Sequence, residues 1–316
     1  MSKNILFSII LPFYDTLETI SETIDSIVNQ KNFDLNVIQV ILINDGDDTN
    51  LSGIMKKYKK RIMNLEFYKK ENGNWGSVIN FVKNKKIALG KYITILDSDD
   101  RLAENALNEF AKMTETNCDI LTANFYWWKA KKNKKIPIPI YWLFFKKYHV
   151  ILKINKKIHL LRTPFHQPLC KFYKRENFYS IPNCKEKVSY QDIFVYNENL
   201  KIAKSFCHIK KCLGYYRTDR PSSSSNVDWD TKRLLIWKSV LEYLDKNNCT
   251  CIAIFYFLIK NFIKKYKKCL LENKQCKKIL IHKKFKCCYV WKIINPIVKF
   301  ASFFWFHKIK QIVKFI

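Results

Sequence analysis

Three short apolar runs near the start of the chain constrain its fold more than any other feature of the sequence. They span residues 6–11, 37–43 and 92–96, and each run ends at proline, asparagine or aspartate. A continuous apolar run of this length is typical of a strand that is buried on both faces of a parallel sheet, because helices cover both sides. The runs therefore predict a parallel sheet in this part of the chain.

Two amphipathic segments separate these runs. Over residues 16–30 the apolar side chains recur at helical spacing, and Glu18 and Glu22 lie near the N-terminal end, where the helix dipole favours negative charge. Residues 77–91 are also predicted to be helical, with Gly90 as the terminator. Strands that alternate with helices predict a doubly wound α/β domain, in which ligands bind beyond the carboxyl ends of the strands.

Carboxylates crowd the end of the third apolar run. Asp97, Asp99 and Asp100 lie within residues 97–100, and such clustering is costly through mutual repulsion unless a cation neutralises the charge. Hard oxygen ligands of this kind suit Mg²⁺ or Mn²⁺ shared with substrate phosphates. Alternatively, Asp100 is the N-cap of a helix over residues 102–113. Capping explains one carboxylate and not three, so the pattern favours a metal and diphosphate site.

The net charge of +30 is distributed unevenly along the chain. Residues 246–316 contain 17 lysines and a single acidic residue, which gives +16, and residues 120–175 contain no acidic side chain. These segments indicate a polyanionic partner, either an anionic membrane surface or nucleic acid, unless the lysines only solvate a surface. The main rival is a nucleic-acid-binding protein without catalytic activity. Because the acidic cluster would repel phosphate in the absence of a metal, we predict no nucleic-acid partner.

The C-terminal segment has the composition of a helix that lies in a membrane interface. Over residues 293–316 bulky apolar side chains alternate with lysines, a pattern that directs an apolar face to the acyl chains and the lysines to anionic headgroups. The chain has no run of the roughly 18 apolar residues that a spanning helix needs. We expect a peripheral protein at the cytoplasmic face of the cell membrane. The alternative is a helix packed on the catalytic domain with solvated lysines.

The cysteines also favour the cytoplasm. There are 11 of them, without any Cys-x-x-Cys pair, and reduced, mostly buried thiols are expected. The apolar start of the chain leads directly into Pro12 without a small-residue cleavage site, so it is interpreted as a strand rather than a signal peptide.

Three segments resemble, in order and spacing, the signature blocks of family-2 glycosyltransferases with the GT-A fold. They are residues 8–15 (SIILPFYD), 40–47 (VILINDGD) and 90–100 (GKYITILDSDD). Later segments are similar to the family's acceptor-side elements, namely residues 168–175 (PLCKFYKR), 190–194 (YQDIF) and 215–217 (YYR). The resemblance implies an inverting glycosyltransferase with a Rossmann-like, doubly wound mixed sheet. A basic, mainly helical C-terminal appendage is expected to follow this catalytic domain.

The resemblance also implies a role for individual residues. Pro12, Tyr14 and Asp45 would hold the nucleotide. Asp97 would contact the nucleotide and, together with Asp99, bind Mg²⁺ or Mn²⁺ on the diphosphate. Asp192 would be the general base, which is needed because an acceptor hydroxyl is a poor nucleophile until it loses its proton. The residues expected to contact the acceptor are Trp75, Tyr126, Lys171, Tyr216 and Arg217.

Three departures from the family pattern affect these expectations. Gln191 precedes Asp192 where the family often has glutamate, which changes the electrostatic neighbour of the base. Ile79 occupies the position of an arginine that many members carry near the donor, so the donor preference is open. Trp75 lies in an unusual Gly-rich turn, and it either stacks on a sugar or lipid or is a core tryptophan.

Within the family, the size, the basic tail and residues 74–80 (NWGSVIN) are most similar to small membrane-associated glycolipid synthases of wall-less bacteria. This similarity implies transfer of glucose or galactose from a UDP-sugar to diacylglycerol or a glycosyl-diacylglycerol. The alternative within the enzyme class is extension of a surface polysaccharide or a lipid-linked oligosaccharide. The expected division is a nucleotide-sugar-binding half (1–118), an acceptor-binding half (119–230) and a basic amphipathic membrane-association region (231–316).

Overall fold

The computed structural model describes residues 4–138, 152–153, 167–221 and 231–246. The chain divides into two compact units, residues 1–228 and 229–316. The described part of the second unit is one helix, and the interfacial helix expected over residues 293–316 lies outside the described residues. The three-part division therefore stays a prediction.

Within the described residues, ten strands form one sheet and seven α-helices accompany it. The strands are β1 (Phe7–Phe13), β2 (Ile38–Asn44), β3 (Asn64–Lys69), β4 (Tyr92–Ile95), β5 (Arg101–Leu102), β6 (Ile120–Lys129), β7 (Lys134–Ile138), β8 (Leu152–Lys153), β9 (Lys171–Lys174) and β10 (Ser205–Arg217). The helices are α1 (Leu17–Val28), α2 (Ser52–Lys59), α3 (Asn74–Lys85), α4 (Ala106–Thr114), α5 (Arg175–Ser180), α6 (Gln191–Ile202) and α7 (Thr231–Lys246).

The sheet is mixed. Its strand order is β3-β2-β1-β4-β9-β6-β10-β5, while β7 pairs with β6 and β8 pairs with β10. Strands β1 to β4 are mutually parallel, β9 is antiparallel to both β4 and β6, and β6 is parallel to β10. The C-terminal ends of β1, β2, β4, β6 and β10 therefore lie at one edge, called the C-terminal edge below. This topology confirms the predicted doubly wound mixed α/β sheet.

The three predicted strands are the buried centre of the sheet. Every residue of β1, β2 and β4 is buried, as continuous apolar runs require. An aromatic cluster joins the two halves of the sheet. Phe172 of β9 contacts Phe7 of β1 (4.8 Å between ring centroids) and Phe110 of α4 (4.2 Å). This packing fixes the relative position of the two halves around the C-terminal edge.

The predicted end of helix α3 is wrong. The helix stops at Lys85, because Lys86 adopts the left-handed conformation (φ 50°) and its N–H donates to the Lys83 carbonyl. Gly90 is not the terminator. Its N–H donates to Ser8 Oγ (2.7 Å), and a Cβ at this position would collide with the Ser8 backbone. Glycine is needed here because the loop before β4 passes directly over β1.

The alternative that Asp100 caps a helix is also wrong. The residues after Asp100 form the short strand β5, which pairs with β10, and helix α4 begins at Ala106 with Asn105 before it. Asp100 instead accepts a hydrogen bond from the backbone N–H of Arg217. Pairing with a distant strand overrides the local helical pattern.

The described residues also bear on membrane-spanning helices and on the cysteines. No helix there combines the length and the apolarity needed to cross a membrane. The five described cysteines are free thiols, and four of them are buried, as expected for reduced core residues.

Candidate active site

The acidic turn (residues 97–100) follows β4 at the C-terminal edge, and helix α1 holds its backbone. Thr19 Oγ1 donates to the carbonyl oxygen of Ser98 (2.8 Å), and Thr23 Oγ1 donates to that of Asp100 (2.8 Å). Both threonines are on the buried face of α1. The helix predicted to cover the sheet thus also shapes the turn that carries the carboxylates.

Burial shifts the titration of all three carboxylates in the acidic turn. Burial, reinforced by the charge of Asp99, raises the pKa of Asp97 to about 7, although the indole N–H of Trp75 opposes the shift. Burial also raises the pKa of Asp99 against the positive charge of Arg220, and it raises the pKa of Asp100 well above its ordinary value. Among the described atoms, Asp100 Oδ2 is buried without a hydrogen-bond partner. A bound cation would favour the charged form of these groups.

The chemistry of the acidic turn fits a hard divalent cation held jointly with a substrate. Mg²⁺ is usually bound by one or two carboxylates together with phosphate oxygens, and Asp97 and Asp99 can provide two. In the part of the chain that the structure describes, no group of three or more His, Cys, Asp or Glu side chains could hold a metal ion. A cation at Asp97 and Asp99 would therefore need donor phosphates as further ligands, and this assignment stays a prediction.

Arg220 is a residue of this site that sequence reasoning missed. Its guanidinium lies 3.6 Å from Asp99 Oδ2 and donates to the carbonyl oxygen of Asp15 (2.7 Å). The side chain thus connects the segment after β10 with the segment after β1. In the sequence Arg220 is visible only as an arginine shortly after the Tyr-Arg element, and this position does not indicate a contact with Asp99.

The predicted nucleotide residues lie at the ends of β1 and β2. Asp45 is buried, and its Oδ1 accepts hydrogen bonds from Lys70 Nζ (2.8 Å), Gly73 N (3.1 Å) and Ser77 Oγ (3.2 Å). These three donors fix the carboxylate against the start of α3, and sequence reasoning identified none of them.

Pro12 and Tyr14 differ in exposure. Pro12 is buried within β1, whereas Tyr14 follows the strand and is 52% exposed. The exposed ring is accessible to a ligand at the C-terminal edge. The nucleotide roles of Pro12, Tyr14 and Asp45 remain predictions.

Trp75 connects helix α3 to the acidic turn. The side chain is half-buried, and its Nε1 donates to Asp97 Oδ1 (2.9 Å). It is therefore neither a purely apolar core tryptophan nor a freely exposed platform. Trp75 thus contacts Asp97, which is predicted to bind the donor. Its predicted contact with the acceptor stays a prediction.

Asp192 lies in the first turn of α6, close to the acidic turn. Its negative charge contributes to the raised pKa of Asp97 and to that of Tyr216. Gln191 is buried, and its side-chain oxygen accepts a hydrogen bond from the backbone N–H of Lys185 (2.9 Å). At Gly76 of α3 a Cβ would approach Gln191 Cγ to 2.8 Å. This close packing places the helix that carries the predicted base against α3, whose Trp75 donates to Asp97.

The predicted acceptor residues do not form one cluster. The Tyr126 ring stacks on Tyr215 (5.3 Å between centroids), on the strand pair β6 and β10. Lys171 is completely buried, and its Nζ donates to the Gln167 carbonyl. Burial lowers the pKa of Lys171 to about 8. The geometry does not support direct contact between this buried amine and an acceptor.

Tyr216 and Arg217 lie next to the acidic turn. Burial, followed by the charge of Asp100, raises the pKa of Tyr216 well above its ordinary value. The backbone N–H of Arg217 donates to Asp100 Oδ1 (2.9 Å), and its Nε donates to the carbonyl oxygen of Asp99 (3.1 Å). Arg217 is thus engaged with the turn, and its predicted contact with the acceptor is untested.

A basic hairpin lies at the same edge of the sheet. Residues 129–135, named the lysine hairpin here, connect β6 to β7 and contain five lysines in the sequence KAKKNKK. Residues 131–135 are exposed. Because β6 runs parallel to β4, the hairpin follows β6 at the edge where the acidic turn follows β4. The C-terminal edge therefore carries a buried acidic region and an exposed basic one.

Comparisons with known proteins agree with this architecture. Residues 8–181 match the model of the family described as glycosyl transferase family 2. An uncharacterized glycosyltransferase of Mycoplasma genitalium, MG060, is 36% identical over 258 residues, which cover 81% of this chain and 84% of the relative.

Two solved structures share the fold. Staphylococcus aureus TarS 1-349 in complex with UDP-GlcNAc has a TM-score of 0.62 at 18% identity, covering 88% of this chain and 77% of that structure. GalNAc-T7 with UDP, GalNAc and Mn²⁺ has a TM-score of 0.52 at 9% identity, covering 78% of this chain and 51% of that structure. These similarities confirm the predicted GT-A fold. Because the family model matches more than half of this chain, the chain belongs to glycosyl transferase family 2 and is a glycosyltransferase.

Proposed function

We propose that the protein transfers glucose or galactose from a UDP-sugar to a lipid acceptor, diacylglycerol or a glycosyl-diacylglycerol, with inversion at the anomeric carbon. The observation that carries this proposal is the close packing of α6, whose first turn holds Asp192, on α3 at Gly76, next to the Trp75 side chain that donates to Asp97 in the acidic turn. An inverting transferase needs both elements at one site: a region that accepts the nucleoside diphosphate and a carboxylate that accepts a proton.

The donor would bind between the ends of β1 and β2 and the acidic turn. Pro12, Tyr14 and Asp45 would contact the nucleotide, and Asp97 would lie at its diphosphate end. The fixed orientation of Asp45 by Lys70 supports a binding role, because a rigid carboxylate loses little entropy on binding. The TarS structure in complex with UDP-GlcNAc supports a uridine nucleotide as the donor.

Asp97 and Asp99 would hold Mg²⁺ or Mn²⁺ together with the donor phosphates. When bound, the cation offsets the negative charge that develops on the departing diphosphate. The raised pKa values of the two carboxylates support this role, since their charged forms lack sufficient compensation within the protein. The GalNAc-T7 structure with UDP and Mn²⁺ provides a parallel in the same fold.

Asp192 would act as the general base. Its carboxylate would take the proton of the acceptor hydroxyl as the oxygen attacks the anomeric carbon from the face opposite the diphosphate, which inverts the configuration. A positioned base of this kind is typically worth about 10²–10⁴ in rate. Because Gln191 is neutral and bonded to the Lys185 backbone, Asp192 would carry out this step without an acidic residue immediately before it.

An anionic membrane surface would present the acceptor. The five lysines of the lysine hairpin support this proposal, because they lie at the C-terminal edge of the sheet, where the acidic turn also lies. Lysines near an anionic bilayer contribute about 1 kcal/mol each. The lysine-rich segment 246–316 would add to the attraction. We place the protein peripherally at the cytoplasmic face of the cell membrane.

The proposal is tested by identifying the product. Full-length protein is incubated with labelled UDP-glucose or UDP-galactose, Mg²⁺ or Mn²⁺, and anionic vesicles with or without diacylglycerol. We expect label in the lipid fraction only when diacylglycerol is present, with an inverted anomeric linkage. Label that enters only a polysaccharide or lipid-linked oligosaccharide acceptor would instead support the alternative within the enzyme class, and retention of configuration would exclude the assigned mechanism.

A further inference from the structure

Two arginines from distant parts of the chain share one carboxylate beside the acidic turn. Arg101 of β5 and Arg217 of β10 both form an ion pair with Glu22 Oε2 on helix α1. Both guanidinium groups also pack on the ring of Trp128, at 4.3 Å and 4.6 Å from its centroid. The strand register explains the meeting, because Arg217 pairs with Trp128 and Tyr215 pairs with Arg101.

Arg217 connects this group of side chains to the acidic turn. Its side chain is only 11% exposed, its Nε donates to the carbonyl oxygen of Asp99, and its backbone N–H donates to Asp100 Oδ1. A planar guanidinium can bind Glu22, stack on Trp128 and donate to a carbonyl at the same time, which a lysine ammonium cannot do in one geometry.

The three successive carbonyl groups of the turn are all held by side chains. Helix α1 provides Thr19 for Ser98 and Thr23 for Asp100. The middle carbonyl, that of Asp99, accepts from Arg217 of β10. The backbone of the residue that would carry the diphosphate cation is thus fixed by a donor that depends on Glu22.

Glu22 is required because two guanidinium groups on one ring repel each other. The shared carboxylate compensates both positive charges, and charge-assisted pairs of this kind are stronger than neutral hydrogen bonds. Without the Glu22 carboxylate, Arg217 would lose its ion pair, and repulsion from Arg101 would favour a displaced Arg217 side chain. Glu22 is itself 41% exposed, so its neutral isostere fits the same space without leaving a cavity.

We propose that Glu22 and Arg217 are positioning residues for Asp99: together they fix the acidic turn in the conformation that binds the donor diphosphate. This inference rests on the proposed function for its consequence, and on the described contacts for its structural part. It assigns Arg217 to the orientation of the donor site rather than to contact with the acceptor.

The test uses full-length Glu22→Gln and Arg217→Lys proteins, with Glu18→Gln as the matched control. Glu18 lies one turn earlier on α1, is exposed and undergoes the same change of charge. The first measurement is amide hydrogen exchange of the peptide that spans residues 97–101, without any ligand. We expect exchange to be at least tenfold faster in Glu22→Gln and Arg217→Lys, and unchanged in Glu18→Gln. Wild-type exchange rates in both variants would overturn the proposal.

The second measurement is binding of UDP in the presence of Mn²⁺, by calorimetry. We expect the dissociation constant to rise at least tenfold in both variants, with little further loss in the double variant, because the two residues act through one contact. In transfer assays the donor KM should rise while the acceptor KM stays constant. A variant that changes only the acceptor KM would overturn the inference.

The two measurements separate the failure of this inference from failure of the proposed function. Faster exchange in the two variants, combined with no UDP binding by the wild type, would contradict the proposed function and support the role of Glu22 and Arg217 in fixing the acidic turn. Unchanged exchange combined with normal UDP binding by all variants would overturn that positioning role and support the proposed donor site.

Discussion

The acidic turn and the lysine hairpin occupy the same edge of one sheet, and they are built in opposite ways. Ser98 and Asp100 of the turn are buried and Asp97 and Asp99 are half-buried, and each carbonyl group from Ser98 to Asp100 accepts a hydrogen bond from a side chain. The hairpin is exposed at residues 131–135, and its five lysines lie at the end of β6, at the start of β7 and in the turn between them. Fixed, buried charges suit chemistry that needs defined geometry, whereas exposed charges suit contact with an extended anionic surface.

The largest expected effect comes from removing the central carboxylate of the turn. Asp99→Ala should abolish transfer, since Asp97 alone would then hold the cation on the diphosphate, with one protein carboxylate in place of two. Transfer rates with saturating donor and Mn²⁺ measure the effect, and Glu18→Gln is the control for a surface change. Retention of more than a tenth of the wild-type rate would exclude Asp99 as a metal ligand.

A smaller but still large effect is expected at the base. Asp192→Asn should lower turnover by about 10²–10⁴, because the acceptor hydroxyl then attacks without losing its proton to a positioned carboxylate. Single-turnover rates measure the chemical step directly. If turnover remains within threefold of wild type, the base is a different residue.

The position of the acidic turn could be predicted from the sequence, but the distant side chains that hold it in place could not. Continuous apolar runs that end in aspartates predict buried parallel strands with carboxylates at one edge, and β1, β2 and β4 confirm this. By contrast, Glu22 and Arg217 are separated by 195 positions, and no local pattern indicates that they meet. The same limit applies to Arg220 beside Asp99 and to Lys70 beside Asp45.

The acceptor half was less predictable for a different reason. Strands β6 and β10 are rich in aromatic and basic residues, and they neither alternate cleanly nor form purely apolar runs. Their pairing includes register shifts near Cys212, which a periodic pattern cannot anticipate. The lysine hairpin was visible as charge, but its position at the C-terminal edge depends on the parallel orientation of β6 and β4.

The burial of the acidic turn should reduce stability at neutral pH. The pKa of Asp97 is raised to about 7 in the folded protein, against about 3.9 in an unfolded chain. The folded state keeps this proton to higher pH than the unfolded state, so stability falls as the pH rises from about 4 to about 7.

Asp97→Asn should therefore stabilise the metal-free protein. The difference of about three pKa units corresponds to a gain of at most about 4 kcal/mol in the free energy of unfolding at pH 8, and we expect a clearly smaller gain at pH 5. The asparagine oxygen can still accept from Trp75. Urea denaturation at both pH values, without divalent cations, measures the difference. An equal gain at the two pH values would show that the charge of Asp97 is not the cause.

The smallest effect is expected at the lysine hairpin. Changing Lys131, Lys132 and Lys134 to glutamine should weaken binding to anionic vesicles by about tenfold at low salt, because each lysine contributes about 1 kcal/mol at most and the C-terminal lysines remain. Donor hydrolysis should not change.

The matched control for the hairpin changes Lys56, Lys59 and Lys60, which are exposed lysines in and just after helix α2. Co-sedimentation with anionic and neutral vesicles measures the binding of both variants. Equal losses in the two variants would indicate attraction through net charge alone, and would remove the distinction between the hairpin and the rest of the surface.

We assign donor binding to the acidic turn and proton transfer to Asp192. Calorimetry of UDP binding in the presence of Mn²⁺, with wild type, Asp99→Ala and Asp192→Asn in parallel, separates the two roles. We expect Asp99→Ala to lose Mn²⁺-dependent binding by at least tenfold, while Asp192→Asn binds UDP as the wild type does. Wild-type affinity in Asp99→Ala, together with a loss of affinity in Asp192→Asn, would show that both roles are wrongly assigned.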